Sequence, residues 1–276
     1  MSATIFYFSG TGNSYTIAKK ISERLPGRLV PITSIIGEDN IMADADSIGI
    51  VFPVYYTDVP NIIRVFLSKL RGLSLKYFFA VCSFGGGTGR SIKTVKELLS
   101  KNGGELSAAY GVHMPQNAFL KPWVKNDRLL AKIDAEVERI CRKTEKKARS
   151  LPSKRILDVL LAPIGPIFKS ATRNYMLKTV GGSEEDSDMS LIYRLDCVFS
   201  VSEECNGCGI CSKVCPAGNI VVKNGRPEWN HKCENCLACY NFCPKNAISG
   251  IAQKDYYYLN PGYTVKLAQK QSGAAE

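Results

Sequence analysis

No stretch of this 276-residue sequence is long and apolar enough to span a bilayer. The longest nearly apolar run, residues 156–168, contains Asp158 and two prolines and falls short of the roughly 20 residues that a spanning helix needs. No basic start, apolar core and small-residue cleavage site occur together at the amino terminus, so the chain is read as cytoplasmic. A serine or cysteine triad, a paired-carboxylate motif and a phosphate loop ending in Gly-Lys-Ser/Thr are also missing. No catalytic residue is assigned. Nucleic-acid-binding motifs are absent too, which excludes that class despite the net charge of +11. Histidine occurs twice.

Cysteine is plentiful. Eleven are present, and eight of them crowd into residues 205–243. In a large chain without an export signal, that crowding points to metal ligation in a reducing compartment rather than to disulfides. The segments CNGCGICSKVCPAGNI (205–220) and CENCLACYNFCPKNAI (233–248) superpose at an offset of 28 residues and form an internal repeat. Each copy reads CxxCxxCxxxCP, the run in which three cysteines hold one iron-sulfur cluster and the fourth ligates the other. Applied here, Cys205, Cys208, Cys211 and Cys243 hold one 4Fe-4S cluster, and Cys233, Cys236, Cys239 and Cys215 hold a second. A zinc ribbon also uses CxxC pairs, but it requires neither a third cysteine nor a trailing CP in both copies. Cys82, Cys141 and Cys197 lie outside the repeat and are read as buried small residues.

Charge is spread unevenly: +4 over residues 1–120, +9 over 121–180 and −2 over 181–276. The basic middle suits a solvated helical surface, or a docking face for an acidic electron-transfer protein with Lys143, Lys146 and Lys147 as the residues to test. Strand-like runs at 4–8, 28–32, 47–54, 76–84 and 106–114 alternate with helical periodicity, one helix opening near Pro60 and another stopping at Gly103. That alternation means a parallel sheet covered on both faces, a doubly wound α/β fold. The expected division is an α/β domain at 1–150, a helical connecting region and linker at 151–190, and a cysteine-rich domain at 191–276.

The segment SGTGNS (9–14) lies between the first strand and the first helix. As a dinucleotide fingerprint it fails, because Tyr15 stands where the third glycine of GxGxxG belongs. A loop for one terminal phosphate remains, built from backbone amides at a helix start with the side chains of Ser9, Thr11, Asn13 and Ser14; the alternative is a simple capped turn. The loops PVYYTDVP (53–60) and CSFGGGTG (82–89) lie at the same carboxyl edge of the sheet. Tyr55 or Tyr56 on one side and Phe84 on the other would sandwich a flat ring, while the triple glycine lets backbone approach its polar edge. Together the three loops describe a site for flavin mononucleotide (FMN).

With FYFSGTGNS, GIVFPVYY, FFAVCSFGGG, MPQN (114–117) and both cysteine runs, the sequence resembles the flavodoxin-ferredoxin fusion proteins of anaerobes over nearly its whole length. The resemblance implies a flavodoxin-like, doubly wound, five-stranded parallel sheet, a helical connecting region and a small ferredoxin-like domain with two 4Fe-4S clusters. It implies that Ser9, Gly10, Thr11, Gly12, Asn13 and Ser14 hold the FMN phosphate. The isoalloxazine ring would lie against Pro53, Val54, Tyr55, Tyr56, Ser83, Phe84, Gly85, Gly86 and Gly87. Flavodoxins proper commonly offer a glycine beside the flavin whose peptide flips to stabilise the one-electron-reduced form. YYTDVP has none, so Thr57 and Asp58 are expected to resist positive φ. The function expected is that of an electron-transfer flavoprotein relaying single electrons between two clusters and FMN, to or from a redox partner such as a ferredoxin or a reductase. A competing expectation is an FMN-dependent reductase of a small organic substrate bound near Tyr55, Tyr56, His113 and Asn117.

Overall fold

The structure, a computed structural model, describes residues 2–117, 125–151, 165–250 and 256–273. Its first half runs β1 (Ala3–Tyr7), α1 (Asn13–Arg24), β2 (Arg28–Pro31), β3 (Ile41–Met42), β4 (Ser47–Pro53), α2 (Asn61–Lys69), β5 (Leu70–Arg71), β6 (Tyr77–Phe84), α3 (Ser91–Lys101) and β7 (Leu106–His113). Five of these strands form a parallel sheet in the order β2-β1-β4-β6-β7, the doubly wound arrangement that the alternating pattern predicts. The short strands β3 and β5 pair with each other in a separate ladder.

Burial on both faces explains why these strands read as continuous apolar runs. Alternate residues point to opposite sides. Phe6, Phe8, Ile48, Ile50 and Phe52 pack with Ile63, Phe66 and Leu67 of α2 and with Val95 and Leu99 of α3. On the other side Ile5, Tyr7, Val51, Phe79 and Val81 meet Ile17, Ala18 and Ile21 of α1. They also meet Val137, Ile140 and Cys141, which follow in a later helix. Gly103 ends α3 as expected. Its φ of 74° is the left-handed cap, and the amides of Gly103 and Gly104 donate to the carbonyls of Ser100 and Leu99.

After the sheet come α4 (Asn126–Leu130), α5 (Ile133–Glu145), α6 (Gly165–Val180) and α7 (Asp188–Arg194). The apolar run 156–168 lies, up to residue 164, outside the described residues. The acidic break at 181–190 is an ordered turn: Asp186 accepts from the Ser183 amide and from Arg194, Arg173 pairs with Asp188, and the Ser187 hydroxyl caps α7. Among the described residues no helix is long and apolar enough to cross a membrane.

The cysteine-rich part comprises β8 (Ser200–Val201), α8 (Ile210–Lys213), β9 (Ile220–Lys223), β10 (Arg226–Trp229), α9 (Ala238–Asn241), β11 (Ile248–Ser249) and α10 (Val265–Ser272). β9 and β10 form a hairpin over Asn224-Gly225, both at positive φ, the pair that a two-residue turn favours. This part shares the sheet's core. Val214, Cys236, Ala238, Phe242, Tyr263 and Ala268 belong to the apolar cluster formed by α2 and α3 with the sheet. One of the outlying cysteines departs from expectation: Cys82 and Cys141 are buried, but Cys197 is exposed. It sits in the turn after α7, where its Sγ lies 3.8 Å from the Thr179 carbonyl.

Candidate functional site

The eight repeat cysteines divide between two cavities. Cys205, Cys208, Cys211 and Cys243 line one, and Cys215, Cys233, Cys236 and Cys239 line the other. Each cavity takes three cysteines from one copy and the fourth from the other. Among the described residues, no three Cys, His, Asp or Glu side chains converge on a point that would hold a single metal ion. Four thiols around each cavity that do not converge on one point suit a multi-atom cluster better than one tetrahedral ion with bonds of about 2.3 Å.

The repeat extends to the backbone. Gly207, Gly209 and Gly218 hold φ of 70°, 72° and 56°, and their counterparts 28 residues later, Asn235, Leu237 and Asn246, hold 53°, 57° and 49°. Glycine takes that region freely, and asparagine tolerates it. Leu237 is the exception, and it is 2% exposed, so burial of its side chain offsets a strained backbone. Amide-to-sulfur contacts also recur: Asn219 N–H reaches Cys215 Sγ, and Ala247 N–H reaches Cys243 Sγ, both at 3.3 Å.

The two cavities differ in exposure. Cys208 is exposed and Cys205 half-buried, whereas Cys215, Cys236 and Cys239 are buried. Glu234 lines the buried cavity, and one of its carboxylate oxygens accepts from the Ile62 amide at the start of α2. Burial pushes its carboxyl up to about 8. Asn219 ties the cavity's edges together. Its side chain accepts from the amides of Asn230 and Lys232 and donates to buried Asp196, which also holds His231 Nδ1 at 2.6 Å. Sequence reading passed over Asn219, although its place two residues after the CPA of the first copy marked it as part of the repeat.

At the carboxyl edge of the sheet, residues 9–14 turn directly into α1. Gly12 has φ 97°, and no side chain caps the helix. Among the described residues, no acceptor meets the amides of Gly10, Thr11, Asn13 and Ser14. Four unpaired amides at the start of a 12-residue helix have the chemistry to take an anion. The side chains are differently engaged. Ser9 Oγ accepts from Gly12 N–H, and Thr11 Oγ accepts from Asn117, so both keep a proton to donate. Asn13 spends its carbonyl on Tyr258 and Asn260 and its amide on the Pro115 carbonyl. Ser14 and Ser83 share a hydrogen bond of 2.8 Å, which fastens the loop to the end of β6.

The flanking loops are not all where a ring sandwich would put them. Phe84 stacks on His113 at 5.5 Å between centroids, and Tyr56 packs against Met176, Leu191 and Leu195. The expected resistance to positive φ holds at Asp58 but not at Thr57. Tyr56 and Thr57 have φ of 47° and 62° in a turn closed by paired Tyr55–Asp58 backbone bonds, and the Arg90 amide donates to the Thr57 carbonyl at 2.7 Å. Those three bonds compensate what a β-branched residue loses in that region. Gly86 and Gly87 face open space, while Gly85 lies tight against Gln116. Pro53 and Val54 complete the β4 edge, the Val54 amide donating to the Ser83 carbonyl.

The loop and the buried cysteine cavity touch. The side-chain amide of Asn117 donates both to Thr11 Oγ and to the Cys236 carbonyl, at 3.1 and 3.2 Å. A Cβ on Gly10 would come within 2.6 Å of that same carbonyl and 2.8 Å of the Tyr55 hydroxyl oxygen.

The sequence matches the flavodoxin domain family over residues 4–117 and the 4Fe-4S dicluster domain family over residues 204–248. No curated protein matches it. Similar solved structures include the rubredoxin oxygen:oxidoreductase of the anaerobe Desulfovibrio gigas, 19% identical over 53% of this chain with a TM-score of 0.37. This chain spans 36% of that enzyme's length. The flavodoxin of Streptococcus pneumoniae TIGR4 is 15% identical (52% of this chain, 99% of its own, TM-score 0.35). The Fusobacterium nucleatum flavodoxin bound to flavin mononucleotide is 12% identical (53% of this chain, 98% of its own, TM-score 0.39).

Proposed function

Because this chain carries a flavodoxin domain followed by a 4Fe-4S dicluster domain, the layout of a flavodoxin-ferredoxin fusion, we propose that it relays single electrons between two 4Fe-4S clusters and one FMN. The observation that carries this reading is the contact between the buried cysteine cavity and the 9–14 loop through Asn117. Bound clusters exchange one electron at a time, and a bound flavin stores one or two.

The chain's own residues supply position and shielding. Cys215, Cys233, Cys236 and Cys239 hold the cluster next to the flavin and screen it from water, three of them being buried. Cys205, Cys208, Cys211 and Cys243 hold the outer cluster, with Cys208 at the surface beside the exposed side chain of Val222. Electrons therefore enter or leave through the outer cavity, where a redox protein partner docks. On the flavin side, the unpaired amides of 9–14 take the phosphate, and the open edge at Gly86 and Gly87 leaves space for the ring.

Protein purified without oxygen is expected to carry about eight irons and about eight acid-labile sulfides per chain, with one FMN. Cys236→Ala removes the inner cluster alone. Two zinc ions per chain without labile sulfide, or FAD in place of FMN, would overturn this reading.

A further inference from the structure

The flavodoxin domain does not build its phosphate loop alone. Residues 256–271, which no cysteine motif or flavodoxin signature includes, return across the molecule to the carboxyl edge of β1. Asn260, 3% exposed, makes the densest set of contacts there. Its backbone amide donates to the Thr11 carbonyl at 2.8 Å, its side-chain oxygen accepts from the Thr16 hydroxyl at 2.7 Å, and its side-chain amide donates to Asn13 Oδ1 at 3.0 Å. The Tyr258 hydroxyl donates to the same Asn13 oxygen at 2.8 Å. Gln271, 1% exposed, accepts from the Ser9 amide at 2.9 Å and donates to the Ser9 carbonyl at 2.6 Å. Tyr263 lies over Gly12, where a Cβ would come within 2.5 Å of its own.

The choice of partners is selective. The segment takes the loop's carbonyls and the Asn13 side chain, together with one amide, that of Ser9. The amides of Gly10, Thr11, Asn13 and Ser14 are left without a protein acceptor among the described residues. A plug would have taken those amides, whereas a brace holds the other side and leaves them free. Bracing matters because unpaired amides aimed at one point repel one another until an anion arrives, and a loop already held in that shape loses less freedom on binding.

We propose that residues 256–271 belong to the flavin phosphate site, with Asn260 as the positioning residue that holds the 9–14 loop in the shape that leaves its amides free for the phosphate. This rests on the FMN reading above, and FMN and riboflavin, which differ only in the phosphate, separate the two. Full chain with its clusters intact and its flavin removed is titrated with each compound, and binding is followed by quenching of flavin fluorescence. Wild-type protein should prefer FMN. Asn260→Ala should weaken FMN binding about tenfold, the order expected for a few lost hydrogen bonds, while riboflavin affinity and iron content stay at wild-type values. Lys101→Ala, at the exposed end of α3, should change nothing. If Asn260→Ala does not fold, Thr16→Ala removes one of the same contacts and should lower the FMN-to-riboflavin preference about threefold. An unchanged preference in the folded variant overturns the proposal and leaves the FMN reading standing. A wild-type chain that binds riboflavin as well as FMN overturns the phosphate-loop reading itself.

Discussion

Among single residues, the thiols outside the repeat show how far surroundings set chemistry. Burial pushes Cys82 up to about 12 and Cys141 up to about 11, so neither has a useful thiolate fraction near neutrality. Cys197 is exposed and should be the one that reacts. In cluster-loaded protein at pH 8, iodoacetamide is expected to label one thiol per chain, found by peptide mapping at Cys197, and Cys197→Ser should abolish the label. Labelling at Cys82 would show that the sheet core opens. Gly12 offers a second residue-scale case. Its φ of 97° already excludes a side chain, and a Cβ would strike Tyr263 and Asn260. Gly12→Val should therefore dislodge the 256–271 segment and release FMN, with the flavin recovered in the filtrate after gel filtration while iron is retained. A variant that keeps its flavin would mean that the loop tolerates a different path.

Elements were legible to different degrees. The five strands of the sheet could be read because burial on both faces writes itself as continuous apolar runs, and the cysteine repeat because metal ligation fixes spacing. The brace at 256–271 left no such trace, since Asn260 and Gln271 act through lone polar side chains that carry no period. Aromatic loop residues carry a related ambiguity, because they are equally at home in a core: of the two tyrosines offered for the ring, Tyr56 packs on Met176, Leu191 and Leu195. Asn219 illustrates what a loop gains from one buried amide. It joins residues 230 and 232, just past β10, to the Cys215 loop, so Asn219→Ala should loosen the buried cavity while leaving the outer one intact. Iron is expected to fall from about eight to about four per chain. Retention of all the iron would show that the thiolates hold the loops without it.

For the molecule as a whole, the excess positive charge of 121–180 is less available than its sum suggests. Several of its basic residues are already paired: Arg139 with Glu136, Arg142 with Glu138, Arg149 with Glu105 and Arg173 with Asp188. The apolar side of α5 is spent on the sheet. A solvated, internally paired helix fits that pattern better than a docking face. Reversing Lys143, Lys146 and Lys147 to Glu is expected to leave the rate of reduction by an acidic ferredoxin within about twofold. Val222→Glu, at the rim of the outer cavity, should slow it about tenfold at low salt by placing like charge where the partner approaches. Stopped-flow measurement of cluster bleaching distinguishes the two sites, and the opposite ranking would return the docking face to the basic middle.

The bonds between Gln271 and Ser9 join residues 262 positions apart. A ribosome adding about 5–20 residues per second needs on the order of tens of seconds to make the second after the first. During that interval the sheet can assemble, but its anion cradle lacks the brace that holds it. Tight flavin capture must therefore wait until the cysteine repeat has also been made. On the proposed site, the order of synthesis sets a schedule in which flavin loading follows the making of residue 271, and so of both cysteine runs.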